Sequence, residues 1–461
     1  MIDINVLQKL ENICGKESVF TDSETLILFS KDETEDFSFL PDVVVKPDST
    51  DKIALIVKLA NEYKIPVIPR GGGTGLSGGS LAINGGIMIS MEKFNKILNI
   101  DKENFQATIE PGVITQVFQE TLEKSGLFYP VDPASRGSCF IGGNLAENSG
   151  GPRAVKYGTT KDYVLSIEFI SPTGDIIKAG ATTIKNVTGY NLTQLIIGSE
   201  GTLGIITKIT FRVLPLPQFK KLILVAFSSP EKAAAAVSEI FLKGVIPSAL
   251  EFLEKDAVKT TENHIGAIFP NSDYDAHLFI EVDGYYNEIL EMDIEKIAEV
   301  LYRFDCSEII LADTPEKMES LWALRRAVGE AVKSISQYRE EDTVVPRAKL
   351  PELLKGVKDI CTKYNIRSIC YGHAGDGNLH INLLKENHND GFWNKEGIEA
   401  VKEIFRLTVS LGGTISGEHG IGYSQKNYLN IALSDETISL MRKIKTTLDP
   451  NNILNPGKIF N

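Results

Sequence analysis

The sequence predicts an α+β protein of two or three domains, and three observations lead there. The chain has 461 residues, about three times the ~150 residues of a typical domain. Its first 215 residues set short β-like runs among glycine-rich loops. Beyond Pro215-Leu216-Pro217 the texture changes to longer amphipathic helices separated by strands. Helices and strands do not alternate one for one at short spacing, which separates this pattern from a βαβ repeat. No fixed-period repeat is present. The proline pair marks the first boundary, and the expected division is 1–215, 216–420 and a closing segment 421–461.

In order, Asp42 to Lys46 and Ile65 to Ile68 read as buried strands. Between them Ser49 or Thr50 caps a helix whose Ile53, Ile56, Val57 and Ala60 share one face. Ser166 to Ile170 and Asp175 to Lys178 flank Pro172-Thr173-Gly174 as a hairpin, and Ile205 to Leu214 is a further strand. Helices are expected over Pro230 to Lys243, Tyr286 to Tyr302 and Pro315 to Val332, with strands at His277 to Val282 and Ser307 to Leu311. From about Gly420 the chain is helical, then ends in Leu454-Asn455-Pro456-Gly457-Lys458.

Lys and Arg total 48 against 61 Asp and Glu. That balance opposes a nucleic-acid or anionic-membrane surface, which needs clustered positive charge. No apolar run approaches the roughly 20 residues of a membrane span. Met1-Ile2-Asp3-Ile4 lacks the basic and apolar regions of a secretory leader. Five scattered cysteines (Cys14, Cys139, Cys306, Cys361, Cys370) form no C-x-x-C pair. They predict reduced thiols in a cytoplasmic chain without its own iron–sulfur cluster.

Six glycines fall within the nine residues Gly71 to Gly79. Consecutive glycines let backbone N–H groups converge on an anion such as pyrophosphate. Gly73 to Gly78 spells G-x-G-x-x-G, but the strand-like Ile87-Met88-Ile89 follows where a Rossmann turn opens a helix. A flexible surface loop is the plain alternative. Three more segments of this kind follow: Asp132-Pro133-Ala134-Ser135 leading to Ile141-Gly142-Gly143-Asn144, then Lys156-Tyr157-Gly158, then Glu200-Gly201-Thr202-Leu203-Gly204-Ile205-Ile206. Together they suit one long, mostly neutral groove for a dinucleotide.

This set resembles the FAD domain of the vanillyl-alcohol oxidase type flavoenzymes, and from about Pro41 to Phe460 the chain is similar to FAD-linked D-2-hydroxyacid dehydrogenases. The resemblance implies a two-subdomain FAD-binding domain and an α+β substrate (cap) domain with a large antiparallel sheet. It implies cofactor contacts at Arg70, Gly71, Gly72, Gly73, Thr74, Gly75, Leu76, Ser77 and Gly78, at Pro111, Gly112, Asp132, Pro133 and Ser135, and at Ile141, Gly142, Gly143, Asn144 and Asn148. Further contacts fall on Gly151, Tyr157, Gly158, Glu200, Gly204, Ile205, Ile206 and Asn455. No histidine precedes position 264, so a histidyl–flavin bond is excluded there. Cys139 reads as a small buried thiol. Non-covalent FAD is expected.

Three of the six histidines lie in two motifs, Gly372-His373-Ala374-Gly375-Asp376-Gly377-Asn378-Leu379-His380-Ile381-Asn382 and Gly417-Glu418-His419-Gly420. His373, His380 and Glu418 form a two-His, one-carboxylate set that suits Zn²⁺, Fe²⁺ or Mn²⁺ better than Ca²⁺, and the resemblance supports a divalent metal there. A 2-hydroxy acid chelates such an ion through its hydroxyl and carboxylate, which eases deprotonation. His419 is the candidate general base, since imidazole titrates near working pH. The resemblance puts the substrate carboxylate on Arg325 of Trp322-x-x-Arg325, and substrate contacts also on Asn382 and Lys349.

Two departures favour D-lactate or glycolate over D-2-hydroxyglutarate. Glu340 stands where relatives using the longer acid carry a lysine, and Gly329 replaces a hydroxyl-bearing residue. Electrons parked on FAD need an external acceptor: a quinone, a cytochrome, an electron-transfer flavoprotein or an iron–sulfur partner subunit. The expected place is the cytoplasm or the inner-membrane periphery, and a homodimer is the general prior. Two alternatives stand beside this reading. One is a metal-dependent hydrolase using His373, His380 and Glu418, and the other a flavin-carrying subunit active only within a larger complex.

Overall fold

In the helix Thr50–Tyr63 the residues Ile53, Ile56, Val57 and Ala60 form one stripe and are fully buried, because positions i, i+3, i+4 and i+7 share a face. It starts after Ser49 and stops where Lys64 turns left-handed at φ 52°. The computed structural model describes residues 2–34 and 37–460; Met1, Glu35, Asp36 and Asn461 lie outside the described residues. It divides the chain into one unit of Met1–Ser149, Thr159–Leu216 and Glu418–Asn461, and a second of Gly150–Gly158 and Pro217–Gly417.

The first unit holds a four-stranded sheet in the order Val19–Phe20, Val43–Val45, Ile87–Ser90, Val67–Arg70. The last three strands are mutually parallel. The helices Ile4–Cys14 and Thr50–Tyr63 cover one face, where Val6, Leu10, Val57, Val67 and Ile89 share a core. Val44, Ile68 and Met88 pack with Phe29 on the other. Burial on both faces explains why these strands are unbroken apolar runs. Arg70 ends its strand where the glycines begin, and the next element is the strand Ile87–Ser90, not a helix.

A five-stranded antiparallel sheet follows, in the order Ile97–Asp101, Gln106–Ile109, Ile205–Arg212, Val164–Ile170, Ile176–Gly180. Its last two strands form the hairpin expected around Pro172-Thr173-Gly174, with Ile170 opposite Ile176. After the helix Asp435–Leu448 the chain returns to the first sheet: Val67 N donates to Ile453 O and Asn455 N to Val67 O, each at 2.7 Å.

The second unit is built on a seven-stranded antiparallel sheet. Its order is Ile310–Ala312, Phe219–Phe227, Ala276–Gly284, Ala249–Glu254, Arg367–Gly372, Asn378–Leu384, Tyr338–Val344. Lys255–Ile265, Pro315–Arg326 and Val328–Lys333 pack on one face, where Val258, Leu321 and Val332 meet Leu224, Phe279 and Ile369. Pro230–Leu242, Asn287–Leu301, Leu350–Tyr364 and Glu396–Ser410 form the other helical layer. The helix expected over Pro315 to Val332 is two helices, separated at Ala327. The excursion Gly150–Gly158 joins this unit because Lys156 Nζ donates to Asp283 Oδ1 at 2.5 Å and Tyr157 Oη donates to the same carboxylate at 2.8 Å. No helix among the described residues is long and apolar enough to cross a membrane.

Candidate functional site

The first unit contains one long groove of about 1370 Å³, its open mouth included. Its walls come from every glycine-rich segment of this unit: Arg70 to Leu76, Pro133 to Ser135, Gly142 to Asn144, and Glu200 to Ile206 in part. At Gly75 and Gly143 a β-carbon meets no protein atom within 4 Å. Protein packing therefore does not require glycine there, whereas close approach of a ligand does. Ser199 Oγ, also on the wall, is buried without a hydrogen-bond partner among the described residues. Buried hydroxyls are normally paired, so these features fit a dinucleotide lying along the groove.

Among the expected cofactor residues, Arg70 to Gly75, Leu76, Pro111, Pro133, Ser135, Gly142, Gly143, Asn144, Glu200, Gly204, Ile205 and Ile206 line the groove. Arg70 turns its guanidinium to Lys31 O at 2.7 Å and over the Phe29 ring, so it braces the loop from beneath. Ser77, Gly78, Gly112, Asp132, Ile141, Asn148 and Asn455 do not line it. Ser77 O accepts from Tyr423 N, and Asn148 Oδ1 from Lys161 N. Asn455 Nδ2 donates to Gly79 O and Glu200 O, at 2.9 and 2.8 Å. Gly151, Tyr157 and Gly158 belong to the second unit.

Glu418 and His419 also line this groove. The turn after them is fixed by Glu200, whose carboxylate accepts from Ile421 N at 2.8 Å and Gly422 N at 2.6 Å. Gly420 has φ +82°, and a β-carbon there would lie 2.1 Å from Glu147 Oε2. Glu147 is a wall residue that sequence reading passed over as part of Leu-Ala-Glu-Asn. Burial, then the Glu200 and Asp32 charges, hold its carboxyl well above the usual carboxylate range. Burial also raises Glu200, against the two backbone donors that lower it. A raised acid binds its proton more tightly in the folded state, so its contribution to stability is present at low pH and lost as pH rises through the folded value. Glu147→Gln cannot ionise. It is expected to flatten the fall in unfolding temperature as pH rises above the usual carboxylate range; a profile that tracks wild type throughout would refute the assignment.

In the second unit the sheet register gathers the remaining candidates. Residues directly opposite in a ladder, and those two apart along a strand, point to the same face. Glu251 and Leu253 lie two apart, Leu253 pairs with Tyr371, Tyr371 with His380, and His380 with Asp342. Asn382, two from His380, pairs with Glu340. All of these therefore share the face covered by the helix Pro315–Arg326. From that helix Trp322 Nε1 donates to Glu281 Oε2 at 3.0 Å. Arg325 reaches Glu251 Oε2 through Nε at 2.9 Å and Nη2 at 2.6 Å. The same carboxylate accepts from His373 Nδ1 at 2.8 Å. Burial alone would raise Glu251, but its partners His373 and Arg325 bring it below the usual carboxylate value.

The His373 and His380 rings lie 5.3 Å apart at 86°. Nδ1 of His373 is committed to Glu251, and Nε2 is the ring's other donor atom. Two buried imidazoles beside carboxylates are a donor set that fits Zn²⁺, Fe²⁺ or Mn²⁺. Glu418, the third expected ligand, belongs to the first unit. Asn382 is on the face, with Nδ2 turned to Ile369 O at 3.4 Å. Lys349 is elsewhere. The adjoining strand ends at Val344, the chain turns through Arg347–Lys349 into the helix Leu350–Tyr364, and Lys349 pairs with Glu352 at 2.6 Å. Glu251 was invisible as a site residue in Ala-Leu-Glu-Phe-Leu-Glu; only the ladder register reveals it.

Comparison with known proteins agrees with this geometry. Residues 216–459 match the C-terminal domain of FAD linked oxidases, and residues 41–180 match an FAD binding domain. The chain is 40% identical to the glycolate oxidase subunit GlcD of Bacillus subtilis (strain 168), covering 100% of this chain and 97% of that one. It is 42% identical to the D-lactate dehydrogenase of Anaerostipes hadrus, over 91% and 89%. It is 32% identical to the D-2-hydroxyglutarate dehydrogenase of Stutzerimonas stutzeri, over 100% of both. A solved p-cresol methylhydroxylase with substrate bound shares the fold at a TM-score of 0.81 and 18% identity, over 99% of this chain and 96% of that one. A groove shaped for a dinucleotide, an antiparallel sheet carrying buried polar side chains, and family matches that together span most of the sequence make this chain a member of the FAD-linked oxidases, an FAD-linked oxidoreductase.

Proposed function

We propose that the protein oxidises a small D-2-hydroxy acid, D-lactate or glycolate, to the 2-oxo acid and passes the electrons to an external acceptor. The observation that carries this reading is the single sheet face that holds the Arg325 guanidinium, the His373 and His380 imidazoles and Asn382. The similar GlcD, D-lactate and D-2-hydroxyglutarate enzymes support it. Bound FAD would supply the hydride acceptor, and a divalent ion on the His373 and His380 imidazoles would supply a Lewis acid for the hydroxyl. Arg325 binds the carboxylate: Glu251 occupies its Nε and Nη2 on one edge, which leaves Nη1 to an incoming acid. Asn382 orients the acid, and Lys349, on its turn beside Glu352, has at most a peripheral part. His419 takes the hydroxyl proton at an imidazole nitrogen. Membership of an oxidoreductase family removes the ground for the hydrolase alternative.

The size of the acid follows from Glu340. Tyr371 Oη donates to its carboxylate at 3.4 Å, and His380 Nδ1 stands 3.8 Å from it. At Gly329 a β-carbon would sit 3.7 Å from the same tyrosine oxygen. A second substrate carboxylate meets like charge here, so monocarboxylic acids of two or three carbons are favoured over D-2-hydroxyglutarate. The electrons must leave the chain. Its cysteines are free and four of the five are buried, so an iron–sulfur partner subunit, a quinone, a cytochrome or an electron-transfer flavoprotein receives them.

The test is an anaerobic absorbance spectrum of the FAD-loaded protein before and after D-lactate, L-lactate, glycolate and D-2-hydroxyglutarate, added separately. Bleaching of the flavin band by D-lactate or glycolate, and not by L-lactate, is the expected result. Bleaching only by D-2-hydroxyglutarate would overturn the substrate assignment.

A further inference from the structure

The strand Ala249–Glu254 is buried at all six positions, and Glu251 is fully buried at its centre. An ionised carboxylate in such a place is strongly unfavourable unless its oxygens are met by donors or charges. Both are. Oε1 accepts from His373 Nδ1 at 2.8 Å, and Oε2 takes Arg325 Nε at 2.9 Å and Nη2 at 2.6 Å. The three side chains come from three separate elements: a central strand, the loop after the strand Arg367–Gly372, and the helix Pro315–Arg326. The carboxylate thus fixes two things at once. It holds His373 Nδ1 as a donor and so fixes the ring's orientation, which makes Nε2 the atom a metal would meet. It also holds the guanidinium by one edge, so that the other is presented at a set angle.

We infer that Glu251 is a positioning residue that sets the metal-binding imidazole and the acid-binding guanidinium as one assembly. This rests on the functional reading above. An amide cannot replace it: a glutamine presents one acceptor oxygen and an NH₂ group, and the NH₂ faces either the Nδ1 proton or the guanidinium donors. One of the two partners is then lost.

The experiment compares the FAD-loaded wild type with Glu251→Gln, reading zinc affinity by competition with a chelator, the flavin content, the unfolding temperature, and KM and kcat for the acid. The expected result is zinc binding about 10- to 100-fold weaker, a raised KM, and a flavin content equal to wild type. Zinc affinity and KM both unchanged in Glu251→Gln would overturn the inference. If wild type itself binds no divalent ion, the metal reading fails and this inference with it, whereas bleaching of the flavin by an acid still reports on the oxidase reading. Should Glu251→Gln not fold, Glu251→Asp keeps the charge but draws it back by one methylene. Weakened zinc binding there supports the inference, and wild-type affinity in that variant overturns it.

Discussion

His419→Asn is expected to retain FAD and to slow reduction of the flavin by the acid about 10²- to 10⁴-fold, the range typical of a positioned general base. The expectation comes from where His419 stands. It lines the groove of the first unit, and the turn that follows it is anchored by the backbone bonds of Ile421 and Gly422 to Glu200. Asparagine preserves the backbone and a polar side chain, so the groove keeps its shape while the proton acceptor is removed. Anaerobic stopped-flow reduction, with flavin content as the control for folding, reads this directly. Reduction at the wild-type rate would remove His419 from the role.

Arg325→Ala is expected to show a second large effect, divided between affinity and stability. Losing a charge-assisted contact to the acid should raise KM by about 10- to 100-fold, at roughly 1.5–3 kcal/mol for such a bond. The variant also strands part of the Glu251 carboxylate, and removing one partner of a buried ion pair costs about 3 kcal/mol. The stacking of the guanidinium on the Tyr371 ring, 5.3 Å from its centroid, is lost as well. A lowered unfolding temperature together with a raised KM is the expected pair. Arg325→Lys should recover part of the stability and little of the affinity, because an ammonium cannot grip Glu251 by one edge and an acid by the other. An unaltered KM in the alanine variant would count against the clamp.

These sites differ in how far the sequence discloses them. The groove was legible because its physical requirement is local: consecutive glycines with no β-carbon lie next to one another in the chain, and Gly75 and Gly143 prove open where a ligand would lie. Trp322 and Arg325 were legible as neighbours on one helical face. Their partners were not. Glu281 and Glu251 come from strands 41 and 74 residues away, and a Glu inside Ala-Leu-Glu-Phe-Leu-Glu reads as the wet face of a strand until both faces of the sheet are seen to be covered. Glu147 was hidden for a similar reason, since its environment is made by Glu200 and Asp32 from distant segments. The break at Ala327 escaped the periodicity because Pro315–Arg326 and Val328–Lys333 have nearly continuous helical patterns. Lys156 and Tyr157 looked like part of the glycine-rich groove by proximity in sequence, yet their bonds to Asp283 tie them to the second unit.

The first unit is interrupted in the chain, and this sets an order of events during synthesis. Glu418 and His419 are wall residues of the groove, and Asn455 and Lys458 brace that wall through Gly79, Glu200 and Leu81. All four residues are made only after the whole of Pro217–Gly417 has been translated. Domains tend to fold as their segments emerge, N-terminal first, but here the sheets bearing the glycine-rich loops must wait, with one wall of the groove missing, while some two hundred intervening residues are added. The groove is therefore finished late in the life of the nascent chain, after the second unit has been synthesised and not before it.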